Sequence, residues 1–287
     1  MIEMAPVEKK QLAYLITSAL EEDCPNGDIT SELFLTHGQS NAQLVAKEAG
    51  VFFGEDILHY LCDAYHITLV LFKQDGDWVD AKTVVCHLSG DRLMVLKIER
   101  VLLNFLQRLS GIATQTRAYV RALNNPNIAL MDTRKTTPLL RFLERRAVVA
   151  GGGVNHRNSL SDMILLKENH LAQLAKKGQL IELTKLIAAA KQQHPTIKVE
   201  LEIEHTDQLI YFDYDLVDVV MFDNFCLDDV KKGVEICQKR RILSQIEVSG
   251  NVGLDTIASY SNVPIHRISV GSLTHSVKAL DLSLLLA

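Results

Sequence analysis

Leu12, Leu15, Ile16, Ala19 and Leu20 recur at helical spacing across residues 8 to 22, and Pro25-Asn26-Gly27-Asp28 follows as a turn. Alternation then replaces the helical period. Ala42, Leu44 and Ala46 fall on one strand face, as do Ile67, Leu69 and Leu71. Asp75-Gly76-Asp77 marks a turn before apolar runs at Val84 to Leu88 and Leu93 to Ile98, completing a small α+β region. From Glu99 to Leu123 the helical period returns through Val101, Leu102, Phe105, Leu106 and Leu109, with Gly111 expected to interrupt it and Asn124-Asn125-Pro126 to end it.

Beyond that point one unit recurs: a short apolar run, then polar or glycine residues, then a helical stretch. The runs are Ile128 to Met131, Ile164 to Leu166, Val199 to Ile203, Val219 to Phe222, Ile246 to Val248 and Ile268 to Val270, with helices expected over 171–193 and 227–240. Asp228 and Asp229 open the second helix, where acids favour an N-terminus. Alternating strands and helices predict a parallel sheet. Closed into a barrel, it gathers the residues after each strand on one face; an open doubly wound sheet gathers them at a switch point. The absence of Gly-x-Gly-x-x-Gly after the first of these strands favours the barrel. Leu280, Leu282, Leu284 and Leu286 alternate with Asp281 and Ser283 and read as a terminal strand returning to the first region's sheet.

Composition narrows the class without choosing a function. The 287 residues are 47% hydrophobic and 23% charged, as in ordinary globular proteins, with no apolar run long enough to span a bilayer and no signal-peptide pattern in Met1 to Gln11. A cytoplasmic protein is expected. Cys24, Cys62, Cys86, Cys226 and Cys237 lack C-x-x-C or Cys/His ligand spacing, which fits reduced thiols better than disulfides or zinc. A net charge of -5 gives no broad footprint for nucleic acid.

Against that mildly acidic background, cations concentrate locally. Arg134 and Lys135 follow a predicted strand, and Thr136-Thr137-Pro138 blocks immediate helical continuation, so both occupy a short loop. An arginine can grip a carboxylate or phosphate bidentately, and lysine acts as a point charge. Taken alone the pair could be a solvated surface feature. His156 and Arg157 follow Gly151-Gly152-Gly153, and Lys167 ends an apolar run, where it needs an anion or a structural ion pair. Glu200, Glu202 and Glu204 point to one side of a strand, either into a barrel mouth or onto a solvated face. Asp223 closes a buried-looking run; with Glu202 it offers hard oxygens suited to hydrated Mg²⁺ or ribose hydroxyls. Ser249-Gly250 and Gly271-Ser272 sit between a strand and an expected helix, where backbone N–H groups can take a phosphate, with His275 as a further donor.

These residues carry a resemblance. Gly27-Asp28-Ile29-Thr30-Ser31, Glu99-Arg100-Val101-Leu102-Leu103-Asn104-Phe105-Leu106, the basic segments above, Val199-Glu200-Leu201-Glu202, Phe222-Asp223-Asn224-Phe225, Glu247-Val248-Ser249-Gly250 and Ser269-Val270-Gly271-Ser272-Leu273-Thr274-His275-Ser276, in this order, closely resemble the quinolinate phosphoribosyltransferase family over nearly the whole chain. The resemblance implies an N-terminal open-faced α+β sandwich beside an incomplete α/β barrel, expected over residues 1–112 and 113–275, with 276–287 rejoining the first domain. It implies nicotinate mononucleotide, pyrophosphate and CO₂ made from quinolinate and phosphoribosyl pyrophosphate in NAD biosynthesis, with Mg²⁺, by a homodimer that shares its active sites. By position, Arg100 would reach quinolinate in the partner's barrel, while Arg134, His156, Arg157 and Lys167 complete the dicarboxylate pocket. Lys135 would lie between the two substrates, Glu202 and Asp223 at ribose and hydrated Mg²⁺, and Ser249, Gly250, Gly271 and His275 at the 5'-phosphate region; Lys135, Lys167, Glu202 and Asp223 are the expected catalytic groups. Pro138-Leu139-Leu140-Arg141 departs from the family's Pro-Gly-Leu-Arg, and Glu144-Arg145-Arg146-Ala147-Val148-Val149-Ala150 from its Glu-Lys-Tyr-Ala-Val-Arg-Cys. A related enzyme acting on nicotinate or another aromatic acid, and a silent phosphate-binding barrel, are the competing readings.

Overall fold

The computed structural model describes residues 4–286. In chain order its elements begin with α1 (Pro6–Asp23), α2 (Ile29–Phe34), β1 (Gln39–Ala46), β2 (Gly50–Val51), α3 (Glu55–Ala64), β3 (Thr68–Leu71), β4 (Trp78–Val79), β5 (Val84–Asp91) and α4 (Arg92–Leu123). They continue with β6 (Ala129–Met131), α5 (Arg141–Ala150), β7 (Met163–Leu166), α6 (Glu168–Lys176), α7 (Leu183–Gln193), β8 (Lys198–Ile203), α8 (Gln208–Tyr211), β9 (Val219–Asp223), α9 (Leu227–Arg240), β10 (Gln245–Ser249), β11 (Arg267–Ser269), α10 (Ser272–His275) and β12 (Leu282–Leu286). Two compact units result, one from Met1–Arg117, Thr136–Gly152 and Leu273–Ala287, the other from Ala118–Lys135 and Gly153–Ser272.

The first unit is built on an antiparallel sheet in the order β12-β1-β5-β3. Strand alternation decides which face is covered: Ala42, Leu44 and Ala46 are buried, while Gln39, Asn41 and Gln43 are exposed. The terminal leucines form β12, paired with β1 from Ala42↔Leu286 to Ala46↔Leu282. Helix α4 begins at Arg92, so the apolar run Leu93 to Ile98 is helical, and the start expected at Glu99 is corrected by seven residues. Val95, Ile98, Leu102, Leu106 and Leu109 are all buried at i, i+3 or i+4 spacing, which a strand could not achieve. Gly111 does not interrupt the helix. A side chain there would collide with the Lys278 carbonyl, so its glycine reflects the close passage of another backbone.

Helix α5, which the sequence pattern did not reveal, buries Glu144. Arg108 of α4 donates to its Oε1 from Nε and Nη2 at 3.0 and 2.7 Å, and the Thr137 backbone N–H donates to Oε2 at 3.1 Å. The same guanidinium reaches the Thr274 carbonyl at 3.1 Å. Of the residues departing from the family pattern, Arg146 pairs with Asp56 at 3.0 Å and Leu139 adopts φ 67°.

The second unit is a six-stranded parallel sheet in the order β6-β11-β10-β9-β8-β7. Strands β6 and β7 are sequential yet stand at its two ends, and Val154 adds one parallel bridge beside Met131. This is an incomplete α/β barrel. Its strands read as near-continuous apolar runs because both faces are covered: Val199, Leu201, Val220, Phe222, Ile246, Val248 and Ile268 are buried. The helix expected over 171–193 is two, α6 and α7, separated by Lys177-Gly178 and a short turn at Leu180–Glu182. Among the described residues, no helix is long and apolar enough to cross a membrane.

Candidate active site

The parallel sheet delivers the candidate residues of the second unit to the ends where its strands finish. On the cationic side, β6 runs into Arg134 and Lys135, with Thr133 Oγ1 accepting the Lys135 backbone N–H at 3.1 Å. The glycine-rich segment lies alongside through the Met131–Val154 bridge, which places His156 and Arg157 near Asp132. That buried carboxylate accepts the His156 backbone N–H at 2.7 Å, and Arg157 Nη1 donates to the Met163 carbonyl at 3.1 Å. Burial, then repulsion from Arg134, lowers the Arg157 pKa. Glu200, Asp162 and Glu202 pull the other way, and two guanidiniums of like charge can both donate to one anion.

The acidic side starts one strand further on. Lys167 follows β7 directly, and its Nζ donates to Glu202 Oε2 at 2.5 Å, while its backbone N–H donates to His170 Nδ1 at 3.0 Å. Glu202 is 3% exposed, and burial lifts its carboxyl to about 7 against the opposing pull of Lys167. Asp223 ends β9; burial raises its pKa too, opposed by Lys167 and Lys135, and it raises that of Glu202 in turn. The inward reading of the glutamates therefore holds for Glu200 and Glu202, both buried, and fails for Glu204, which lies past the end of β8 and is exposed. Two carboxylates raised by burial, on adjacent strands, form a donor set of hard oxygens that suits a hydrated Mg²⁺.

Ser249 closes β10, and its carbonyl accepts the Asn224 N–H at 2.9 Å. Gly250 has φ 81°, and a Cβ there would meet the Asn224 backbone nitrogen at 2.9 Å, so only glycine fits this turn. No α-helix follows it, contrary to expectation: the chain passes to a single 3₁₀ turn at Ile257–Tyr260. Gly271 precedes α10, a helix of only four residues, and Ser272 Oγ lies 3.2 Å from Tyr119 Oη. The second unit thus gathers Arg134, Lys135, His156, Arg157, Lys167, Glu202, Asp223, Ser249, Gly250 and Gly271. Arg100 and His275 belong to the first unit; Arg100 is 57% exposed on α4, and His275 Nδ1 lies 2.7 Å from Ser276 Oγ.

Two charged groups near this site, Glu247 and Arg267, were not singled out from the sequence. His156 points its ring inward, with Nε2 at 3.2 Å from Glu200 and 3.4 Å from Glu247, both fully buried; Arg267 stands 3.7 Å from Glu247. Burial pulls the His156 pKa down, and the two carboxylates more than offset it, lifting it to about 9. The signal for Glu247 was available. It alternates with buried Ile246 and Val248 in β10, the period-two pattern that singled out Glu202.

An incomplete α/β barrel that sets paired arginines and lysines against buried carboxylates at its strand ends defines an enzyme scaffold for small polyanionic substrates. Its lineage follows from comparison with known proteins. Residues 28–110 match the N-terminal domain, and residues 112–285 the C-terminal domain, of quinolinate phosphoribosyl transferase. The chain belongs to that family. It is 39% identical to a probable nicotinate-nucleotide pyrophosphorylase (carboxylating) of Bacillus subtilis, over 96% of this chain and 93% of the relative. It is 33% identical to the nicotinate-nucleotide pyrophosphorylase (carboxylating) of Mycobacterium leprae, over 94% and 95%. The solved structure of NadC from Streptococcus pyogenes superposes with a TM-score of 0.89 at 37% identity, covering 100% of this chain and 99% of that one.

Proposed function

We propose that this protein is a quinolinate phosphoribosyltransferase, which joins quinolinate to phosphoribosyl pyrophosphate and releases nicotinate mononucleotide, pyrophosphate and CO₂ for NAD biosynthesis. The observation that carries the reading is the pairing of Lys167 with the buried Glu202 beside the mutually repelling Arg134 and Arg157, within one unit of a family member. Arg134, Arg157 and Lys167 hold the two carboxylates of quinolinate, and His156 braces that pocket. Lys135 faces the pyrophosphate. Asp223 and Glu202 hold the ribose hydroxyls, while Ser249, Gly250, Gly271 and His275 hold the 5'-phosphate.

The pyridine nitrogen already has a lone pair, so attack on ribose C1 needs no strong general base. The C1–O bond to pyrophosphate breaks as the N–C1 bond forms, through a transition state with oxocarbenium character. The new ring nitrogen is positive and stabilises the carbanion left when the adjacent carboxylate departs as CO₂; a proton then takes the vacated carbon. Glu202 and Asp223 act by charge and position on the developing cation, not by proton transfer. A hydrated Mg²⁺ arriving with the pyrophosphate would rest against these two carboxylates through water and stabilise the leaving charge. Arg100, exposed on α4, supplies the remaining cation to the site of a partner subunit in a homodimer, and the reaction is cytoplasmic.

The test is direct. The protein, incubated with phosphoribosyl pyrophosphate, Mg²⁺ and either quinolinate or nicotinate, should form nucleotide and CO₂ from quinolinate only. Product from nicotinate and none from quinolinate would replace this reading with that of a related phosphoribosyltransferase.

A further inference from the structure

Arg108 and Glu144 take no part in the substrate contacts proposed above, yet they hold the chain beside two residues that do. The carboxylate is fully buried and the guanidinium partly so. A buried ion pair adds little net stability over apolar residues of the same volume, so its consequence lies in what its directed bonds fix. Glu144 divides its oxygens: Oε1 accepts from Arg108 Nε and Nη2 at 3.0 and 2.7 Å, and Oε2 accepts the Thr137 backbone N–H at 3.1 Å. Nη2 of the same guanidinium also donates to Thr137 Oγ1 at 2.8 Å and to the carbonyl of the fully buried Thr274 at 3.1 Å. Thr136 is gripped as well, its Oγ1 accepting from Arg141 Nε at 3.1 Å. All of these contacts lie within the first unit.

We propose that Arg108 and Glu144 are positioning residues for the phosphoribosyl pyrophosphate end of the reaction, holding through Thr137 and Thr274 the backbone that leaves Lys135 and the backbone that enters His275. The inference rests on the reading above, which gives Lys135 to the pyrophosphate and His275 to the 5'-phosphate. Lys135 is exposed and stands between two anchors: Thr133 Oγ1 accepts its own N–H at 3.1 Å, and Thr137 is fixed just beyond it. A lysine is a point charge on a flexible stem, so the direction of its backbone sets where that charge goes. Arginine's planar fork suits the task, because donors in fixed directions can meet acceptors from several segments at once. The carboxylate substrate is served otherwise: Arg157 is held by the Met163 carbonyl and Lys167 by Glu202, both within the second unit. Loss of the Arg108–Glu144 pair should therefore be felt by one substrate and not the other.

Thr137→Val removes the hydroxyl and leaves the ion pair in place. It should raise the KM for phosphoribosyl pyrophosphate about fivefold, the worth of one hydrogen bond, with the quinolinate KM within about twofold. Thr137→Ser restores the acceptor and should bring both KM values to within about twofold of wild type. Arg108→Lys keeps the charge beside Glu144 but not the fork, and should raise the same KM about tenfold or more. If that variant does not fold, the two Thr137 variants decide. Calorimetric binding of phosphoribosyl pyrophosphate with Mg²⁺, quinolinate absent, should weaken by the same factors. Equal changes in both KM values, a lowered Tm with both intact, or a Thr137→Ser that restores nothing overturns the proposal and leaves a structural ion pair. A wild type that binds phosphoribosyl pyrophosphate without turning over quinolinate refutes the proposed activity alone, and the binding comparison then judges the pair. A wild type that does neither overturns both.

Discussion

At the scale of single residues, the site holds its carboxylates against their own preference. Glu202 titrates near 7 in the folded chain, against an ordinary value of 4.5, because burial disfavours its charge more than Lys167 favours it. The folded state therefore binds more protons than the unfolded one between those values, and stability falls as pH rises through that window. Above about pH 7 the penalty is complete. Glu202→Gln should thus stabilise the ligand-free protein at pH 8 by about 1–2 kcal/mol after allowing for partial solvation, which raises its Tm by a few degrees. The gain should vanish near pH 4, and turnover should be lost at every pH. Thermal unfolding from pH 4 to 8 checks the sign; a lower Tm at pH 8 would mean that the Lys167 ion pair outweighs desolvation. Leu139 raises a second residue-scale point, since it holds φ 67° and is 71% exposed. A left-handed non-glycine residue costs about 1–2 kcal/mol, and glycine gives back roughly half of that in backbone entropy. Leu139→Gly, the residue of the family pattern here, should stabilise the protein by up to about 1 kcal/mol, seen as a higher urea midpoint at constant m. No gain would mean that the leucine is covered in the assembled protein.

At the scale of elements, most of the second unit was legible because each parallel strand is a short apolar run followed at once by polar or glycine residues. All six runs became strands, and 227–240 became α9. The misreadings share a cause, which is that the deciding contact lies far away in sequence. Leu93 to Ile98 could serve either a strand or a helix face until α4 is seen to bury it, and Gly111 looks like a break until the Lys278 backbone fills its place. Helix α5 was hidden because its buried side is mixed, with Glu144 and Arg145 buried beside Leu143, Ala147 and Val148. Glu144 is fully buried, and Arg108 and the Thr137 N–H satisfy it, so charged residues interrupt the short apolar stripe of Leu143, Ala147 and Val148 that would mark the helix. That one ion pair also ties the segment after Lys135 to Thr274, the residue before His275. The candidate site was legible wherever charge ended an apolar run, as at Lys167 and Asp223. Glu200, though on the same strand face as Glu202, gave no sign of its partner, because its link to Glu247 is made through His156 across the sheet.

At the scale of the molecule, the proposed site requires more cations than one barrel supplies. Arg134, Arg157 and Lys167 are furnished by the second unit, whereas Arg100 stands on α4 in the first, largely exposed and 3.9 Å from Glu99. An arginine so placed adds little to the stability of its own chain, so its use should lie in another. If it completes the quinolinate pocket of a partner subunit, each active site draws on two chains, and defects on different chains can be separated by mixing. Arg100→Ala and Lys167→Ala should each abolish most activity as homodimers. Mixed in equal amounts and allowed to exchange, they should form heterodimers in which one site carries both defects and the other carries neither. With random exchange half of the dimers are mixed and one site in each is intact, so activity should recover to roughly a quarter of wild type. The readout is turnover against exchange time, with exchange followed independently by a mass or affinity tag on one variant. Recovery that tracks heterodimer formation assigns Arg100 to the partner's site. Full exchange without recovery would place Arg100 in its own chain's chemistry or outside it altogether, and dimerisation would cease to be a condition of catalysis.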